Sequence, residues 1–324
     1  MKLSYSLLRP AAEDALAAAR YSPRRLVLLH TAVTLAVGLV ISILSYVLDL
    51  GVAQTGGLSG IGNRAMLQTL QSMLTIVSTI LLPFWEIGYI FTTLQLARRK
   101  HPDTDSLFAG LRNWGVVLRA MLLKCAVLLA VMFIGTQIIT TIYFMTPFAE
   151  PMQALYMEMM EGGSDAVALM ENEEYMALMM QLMPFVLIGV GILLIPVLYL
   201  LRFTDYIIMD QPEIGALYAL TTSVRMTRSH LKELLMLDLR FWWYYLLELL
   251  VAVVSYGHLL LELVGVDIGI GGDTAMFVFY LLSLAAQLGL YVWMKNSVYT
   301  TYALAYDSIY LPVEPIKKER PKMF

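Results

Sequence analysis

The chain has 324 residues, 59% hydrophobic and 15% charged, with a formal net charge of −3 and a mean hydropathy of +0.70. A soluble globular chain is nearer half apolar and a quarter charged; here the apolar excess is gathered into long runs, which excludes an ordinary soluble domain and points to membrane spans. Cys125 is the single cysteine and lies in an apolar run, so the chain has no internal disulfide framework.

Residues 1–25 read as a cytoplasmic amphipathic segment. The apolar run that follows is too long for a cleavable signal peptide. Six runs reach the roughly 20 residues that cross a bilayer: Leu26–Leu48, Met66–Ala97, Val116–Thr146, Leu182–Tyr206, Phe241–Val264 and Ala275–Tyr306. They make residues 26–310 a membrane domain, with 311–324 as a cytoplasmic tail. The second and last runs exceed the bilayer, which predicts tilt or continuation outside it as ordinary helix.

Between the third and fourth runs, residues 147–181 are acidic and rich in methionine. Gly162-Gly163 breaks this segment, and Ser164 or Asp165 is placed to cap a second helix. It reads as an extracytoplasmic helical hairpin. Its thioethers suit Cu(I), although methionine more commonly serves as flexible apolar packing. Further on, Asp210 and Glu213 have capping-box spacing with Pro212 in the first turn. Leu217, Leu220, Val224, Leu231, Leu234 and Leu235 then recur at helical spacing, while Arg225, Arg228 and Lys232 take another face. That predicts a basic elbow in the headgroup layer, entering the fifth span at the aromatic belt formed by Trp242 and Trp243.

A shared grammar links "ALAAARYSPRRLVLLHTAV", "SLFAGLRNWGVVLRAMLLK" and "ALTTSVRMTRSHLKELLML", each a short mixed helix before an outgoing span. Two of the returning spans carry Pro83 and Pro196, and the third has Asn296. The expected fold is all-α: a polytopic bundle of six transmembrane helices with interfacial amphipathic helices, in a pattern of three two-span repeats. Basic residues collect on one side, at Lys2 to Arg25, Arg98 to Arg119, Arg225 to Lys232 and Lys317 to Lys322, against Arg64 alone in the opposite loops. The positive-inside rule then places both termini in the cytoplasm.

The elbow also carries a family pattern: Tyr206, Asp210-Gln211-Pro212, Gly215-Ala216, Ala219-Leu220, Ser223, Met226-Thr227, His230, Leu234, Leu237-Asp238-Leu239 and Phe241. With Thr301, Ala303 and Tyr306 near the end, it resembles a bacterial integral-membrane family catalogued as domain of unknown function 975. The resemblance implies a multi-pass protein of the bacterial inner membrane and no particular reaction. The chain departs from the pattern at Asn296, where the family usually has proline, and in its acidic third loop. More distantly it is similar to the membrane portion of some glycerophosphodiester phosphodiesterases, without their catalytic domain.

Ionisable residues inside a membrane are costly and often functional. The candidates are Glu86, Arg202, Asp205, Asp238, Arg240, Glu248 and Lys295, which counting along the spans places in the inner half of the bilayer. They are placed so that one network could form, with Glu86 or Glu248 neutralised by Lys295 or Arg202; the favoured account is snorkelling ends with one or two ion pairs that align the bundle. On the outer side, His258 and Glu262 are spaced to share a helical face as candidate ligands of a divalent cation. No P-loop, H-E-x-x-H or G-x-S-x-G motif is present; "TGGLSGIGN" lacks the P-loop lysine. The expectation is therefore a non-enzymatic membrane protein without a cofactor, which moves, senses or accommodates a small solute or lipid. The alternative is an accessory subunit of another membrane complex. Expected partners are anionic lipid headgroups and a membrane protein, not nucleic acid.

Overall fold

Long apolar runs become long helices because a bilayer offers no partner to an unpaired peptide group, whereas a helix satisfies each one internally. The computed structural model describes residues 7–20, 22–54, 61–161, 173–257 and 272–310, and every regular element among them is helical. In chain order these are α1 (Leu8–Ala17), α2 (Pro23–Gln54), α3 (Ile61–Ala97), a short 3-10 helix (Thr104–Phe108), α4 (Ala109–Arg112), α5 (Trp114–Phe144), α6 (Glu150–Glu161) and α7 (Glu173–Leu200). There follow α8 (Thr204–Asp210), α9 (Ala216–Ser229), α10 (Leu231–Arg240), α11 (Trp242–Ser255), α12 (Gly272–Leu290), a π-helical turn (Tyr291–Lys295) and α13 (Asn296–Ile309).

Five helical stretches among the described residues are long and apolar enough to cross a membrane: Pro23–Ser45, Ala65–Ala97, Trp114–Phe144, Tyr175–Asp210 and Val278–Ile309. Within the expected span at Phe241–Val264, α11 is an apolar helix of 14 residues that ends at Ser255, short of a full crossing; residues 258–264 lie outside the described residues. The chain is a multi-pass helical membrane bundle. Short helices precede the span-length α2 and α5 and the shorter apolar helix α11.

The chain divides into two compact units: Met1–Val117 with Asp205–Glu213 and Ser229–Phe324, and Leu118–Thr204 with Ile214–Arg228. In the first unit the packed core gathers where α3 and α13 end. From Phe84 to Ala97 most of α3 is buried, while its earlier turns are largely exposed. Two glycines permit this packing. A Cβ on Gly88 would overlap the carbonyl of Leu107, and one on Gly110 the carbonyl of Phe84. Thr92 and Ser106 share a hydroxyl hydrogen bond of 2.9 Å across the same seam. Around it Val27, Trp85, Tyr89 and Leu107 form one apolar cluster.

The second unit holds the methionine-rich segment. Tyr143, Ala149, Met152 and Leu182 pack with Tyr175, Leu178 and Val186, folding α6 back against α7, and Gln153 Nε2 donates to the Phe144 carbonyl at 2.7 Å. α7 runs unbroken from Glu173 to Leu200 past the expected boundary at residue 181, because strong helix formers continue through it and Pro184 is tolerated in an apolar helix. The expected break and cap at 162–165 lie outside the described residues.

The elbow also differs from its expected form. It is three helices, interrupted at His230 and Phe241. The packed side of α9 is largely small and polar (Ala219, Thr222, Ser223 and Thr227 are buried, with Leu220 and Met226); of the expected leucine stripe, Leu220 and Leu234 are buried, whereas Leu217, Leu231 and Leu235 are exposed. Small residues allow close helix approach, and leucine is the side chain best left to lipid. Ser223 donates to the Leu200 carbonyl at 2.9 Å and accepts from the Phe203 amide at 3.1 Å. It thereby stitches the break between α7 and α8.

Candidate functional site

The π-helical turn is the irregular part of the last span, and it carries Lys295. An extra residue in a turn shifts the following side chains around the helix, and such turns are frequent at functional sites. Here it delivers the Lys295 ammonium to Glu86, with Nζ donating to Oε2 at 3.1 Å. His30 Nε2, from α2, lies 3.2 Å from the same oxygen. Three tyrosine rings surround the ammonium: Tyr291 at 4.7 Å, Tyr89 at 4.8 Å and Tyr299 at 5.3 Å from Nζ. Each presents its electron-rich face to the cation. Lys295 and His30 are buried, whereas 35% of the Glu86 side chain stays accessible.

The surroundings hold this centre in place. His30 stacks parallel to Trp85 at 5.7 Å, and Trp85 Nε1 donates to the His30 carbonyl at 3.0 Å. Asn296 follows Lys295 directly. Its Oδ1 accepts from the Tyr89 hydroxyl at 2.7 Å and its Nδ2 donates to the Pro23 carbonyl at 2.6 Å. One amide thus ties the start of α2, the last third of α3 and the start of α13. Among the described residues, Glu86 Oε1 and His30 Nδ1 are buried without a hydrogen-bond partner.

Of the expected intramembrane residues, Glu86 and Lys295 are brought together. Glu248 is not the partner of Lys295; it accepts from Tyr244 one turn earlier in α11, at 2.7 Å. Asp238 accepts from Tyr302, whose hydroxyl also meets that of Tyr245. Arg202 belongs to the second unit, where its guanidinium lies 4.8 Å from the Tyr199 ring and 5.7 Å from Phe203. Asp205 is half-buried and Arg240 is exposed. Tyrosine hydroxyls thus bond two of the expected carboxylates, Glu248 and Asp238. Arg225, Arg228 and Lys232 of the elbow are exposed. His258 and Glu262 lie outside the described residues, and no cluster of three metal-ligating side chains occurs among the described ones.

The family model described as "Protein of unknown function (DUF975)" matches residues 8–309. The chain belongs to this family. The DUF975 match runs from the first residue of α1 to the last of α13 and so contains the whole charge centre. No curated protein matched, and no solved structure matched.

A second ionic constellation in this DUF975 chain lies where α3, α8 and α13 end. Arg98 grips Asp210 through both terminal nitrogens, one of them at 2.8 Å from Oδ2, and reaches Asp307 with Nε at 3.0 Å and Nη2 at 2.6 Å. These bonds to Asp210 and Asp307 raise the Arg98 pKa above its ordinary value. Tyr306 donates to Asp210 at 3.1 Å and Tyr310 to Gln211 at 2.9 Å. Asp210, read from spacing as a helix cap, is therefore a carboxylate partner of arginine; the turn after it relies on Gly215, at φ +83°. Spacing within one segment carries no information on a partner elsewhere in the chain. His30, Tyr89, Asn296 and Asp307 were missed for the same reason, although Asn296 did stand out as the residue replacing a family proline.

Proposed function

We propose that this DUF975 protein is a non-enzymatic carrier or sensor of a small solute or lipid in the bacterial inner membrane, with both termini cytoplasmic and His30, Glu86 and Lys295 as its working centre. The observation that supports this most directly is the unequal burial of the ionic group. A pair that only aligns helices gains nothing from partial access, yet a third of Glu86 is accessible while its cationic partner is buried. Buried ion pairs are weak stabilisers that apolar side chains often replace without loss, so their presence within spans favours a role in moving or sensing charge. The buried Glu86 Oε1 and His30 Nδ1 lack a hydrogen-bond partner, at about 1–3 kcal/mol each, a cost that a purely structural pair has no reason to carry. The exposed cations Arg225, Arg228 and Lys232 suit anionic headgroups.

The test is flux through proteoliposomes. Entrapped pyranine reports protons under an imposed pH gradient, and dithionite quenching of a fluorescent phosphatidylglycerol reports lipid. Wild type is expected to support one of these fluxes, and Glu86→Gln and Lys295→Gln to abolish it at equal incorporation. Equal flux in wild type and both variants, or no flux in any, overturns the carrier reading. Altered assembly with another membrane complex and no flux would favour the accessory-subunit alternative.

A further inference from the structure

Beside the π-helical turn, a cleft of about 500 Å³ lies between α1, the start of α2 and the start of α13. That volume is within the roughly 300–1,000 Å³ usual for small-ligand sites. Its lining combines the charged Arg9, Glu13 and Arg24 with the polar Asn296 and Ser297 and with Trp293 and neighbouring apolar side chains. Arg9 is paired with Glu13 at 3.0 Å. Arg24 is exposed and has no ion-pair partner among the described residues.

The depth of this cleft in the membrane follows from its neighbours. α1 buries Leu8, Ala12 and Ala15 and turns Arg9, Glu13 and Asp14 outward, the pattern of a helix lying in the interface. Arg24 stands at the start of α2, and Trp293, 69% exposed, packs at 5.6 Å against Trp243 at the start of α11; basic residues and tryptophans at helix ends mark the headgroup level. A cleft at that level, lined by two arginines and by apolar side chains, matches an amphiphile with a phosphate at its head. Basic pockets between span ends are a recurring means of holding anionic headgroups.

We infer that this cleft is a binding site for an anionic glycerophospholipid, with Arg24 and Arg9 on the phosphate, Ser297 as a hydroxyl partner and Trp293 against the glycerol and upper acyl chain. Asn296 forms part of the cleft wall and bonds Tyr89, so the bound headgroup lies next to the residue that positions the tyrosine cage. The site does not depend on flux through the charge centre.

Native mass spectrometry of the full chain in detergent, with phosphatidylglycerol or phosphatidylcholine added, tests the assignment. Wild type retains phosphatidylglycerol in preference. Arg24→Gln weakens that retention about tenfold, the effect of losing one charge-assisted hydrogen bond. Ala17→Trp, which fills the cleft without changing charge, removes it, while Arg112→Gln, an exposed cation outside the cleft, leaves it unchanged. Equal retention of the two lipids, wild-type retention by both cleft variants, or an equal loss in Arg112→Gln overturns the site. Displacement of the lipid by millimolar inorganic phosphate would make the ligand a soluble ion and overturn the lipid assignment; persistence supports it.

Discussion

Lys295 presents a residue-scale problem with a measurable answer. Its ammonium is held by one carboxylate and three aromatic faces in a region that water reaches poorly. Removing one partner of such a pair strands the other, at about 3–5 kcal/mol for a fully buried group. Glu86 keeps 35% of its surface, so the loss belongs toward the lower end of that range. Lys295→Met should therefore lower the thermal midpoint in detergent clearly. Adding Glu86→Gln should recover much of the loss, since no unpaired charge then remains. A double variant no more stable than Lys295→Met would show that Glu86 is not the group left stranded.

At the scale of elements, the seam between α3 and the 3-10 helix is set by backbone contact. Gly88→Ala places a methyl on the Leu107 carbonyl, and because neither helix can yield cheaply, a loss of about 1–3 kcal/mol or more is expected. Gly289→Ala in α12 meets nothing within 4 Å and should be neutral or slightly stabilising, by up to about 1 kcal/mol. Thermal melts of the two variants side by side provide the check; equal effects would remove the close-packing account. Element identity was largely legible in the sequence because apolar length and helical spacing are local properties. The charged segments before α2, α5 and α11 likewise announced short helices. What local spacing did not reveal was rotation and interruption: the break at His230, the buried small-residue side of α9, and the π-helical turn that re-aims Lys295. Each depends on what the helix meets in three dimensions. Glu86 and Lys295 were recognisable as costly charges in apolar runs, while Tyr89 and Asn296 look in sequence like ordinary members of a span.

For the molecule as a whole, Arg98 is the joint that gathers three helix ends in the first unit. Arg98→Gln should leave the spans inserted but loosen those ends, seen as faster amide exchange in α8 and at the end of α13. Arg98→Lys should behave similarly, because a lysine cannot present the paired donors that two carboxylates require. The raised Arg98 pKa sets the sign of the pH response. A cation whose folded pKa is raised stabilises fully below its unfolded value and loses that contribution only as pH climbs through the folded one. The gap in thermal midpoint between wild type and Arg98→Gln should accordingly stay constant from about pH 7 to 10, well below the ordinary arginine range. A gap that closes over that interval would mean that another group supplies the effect.

The pairing of α3 with α13 also constrains how the protein is made. Glu86 and Lys295 are separated by 209 residues, as are Arg98 and Asp307. At about 5–20 residues per second that interval is roughly 10–40 s, during which α3 sits at the membrane with a carboxylate whose lysine, and a guanidinium whose second carboxylate, have not been synthesised. Those charges must meanwhile be sheltered by the insertion machinery, by water or by headgroups. Synthesis that stops before α13 leaves an inserted chain with its internal charges exposed, a form that membrane quality-control proteases are well placed to recognise.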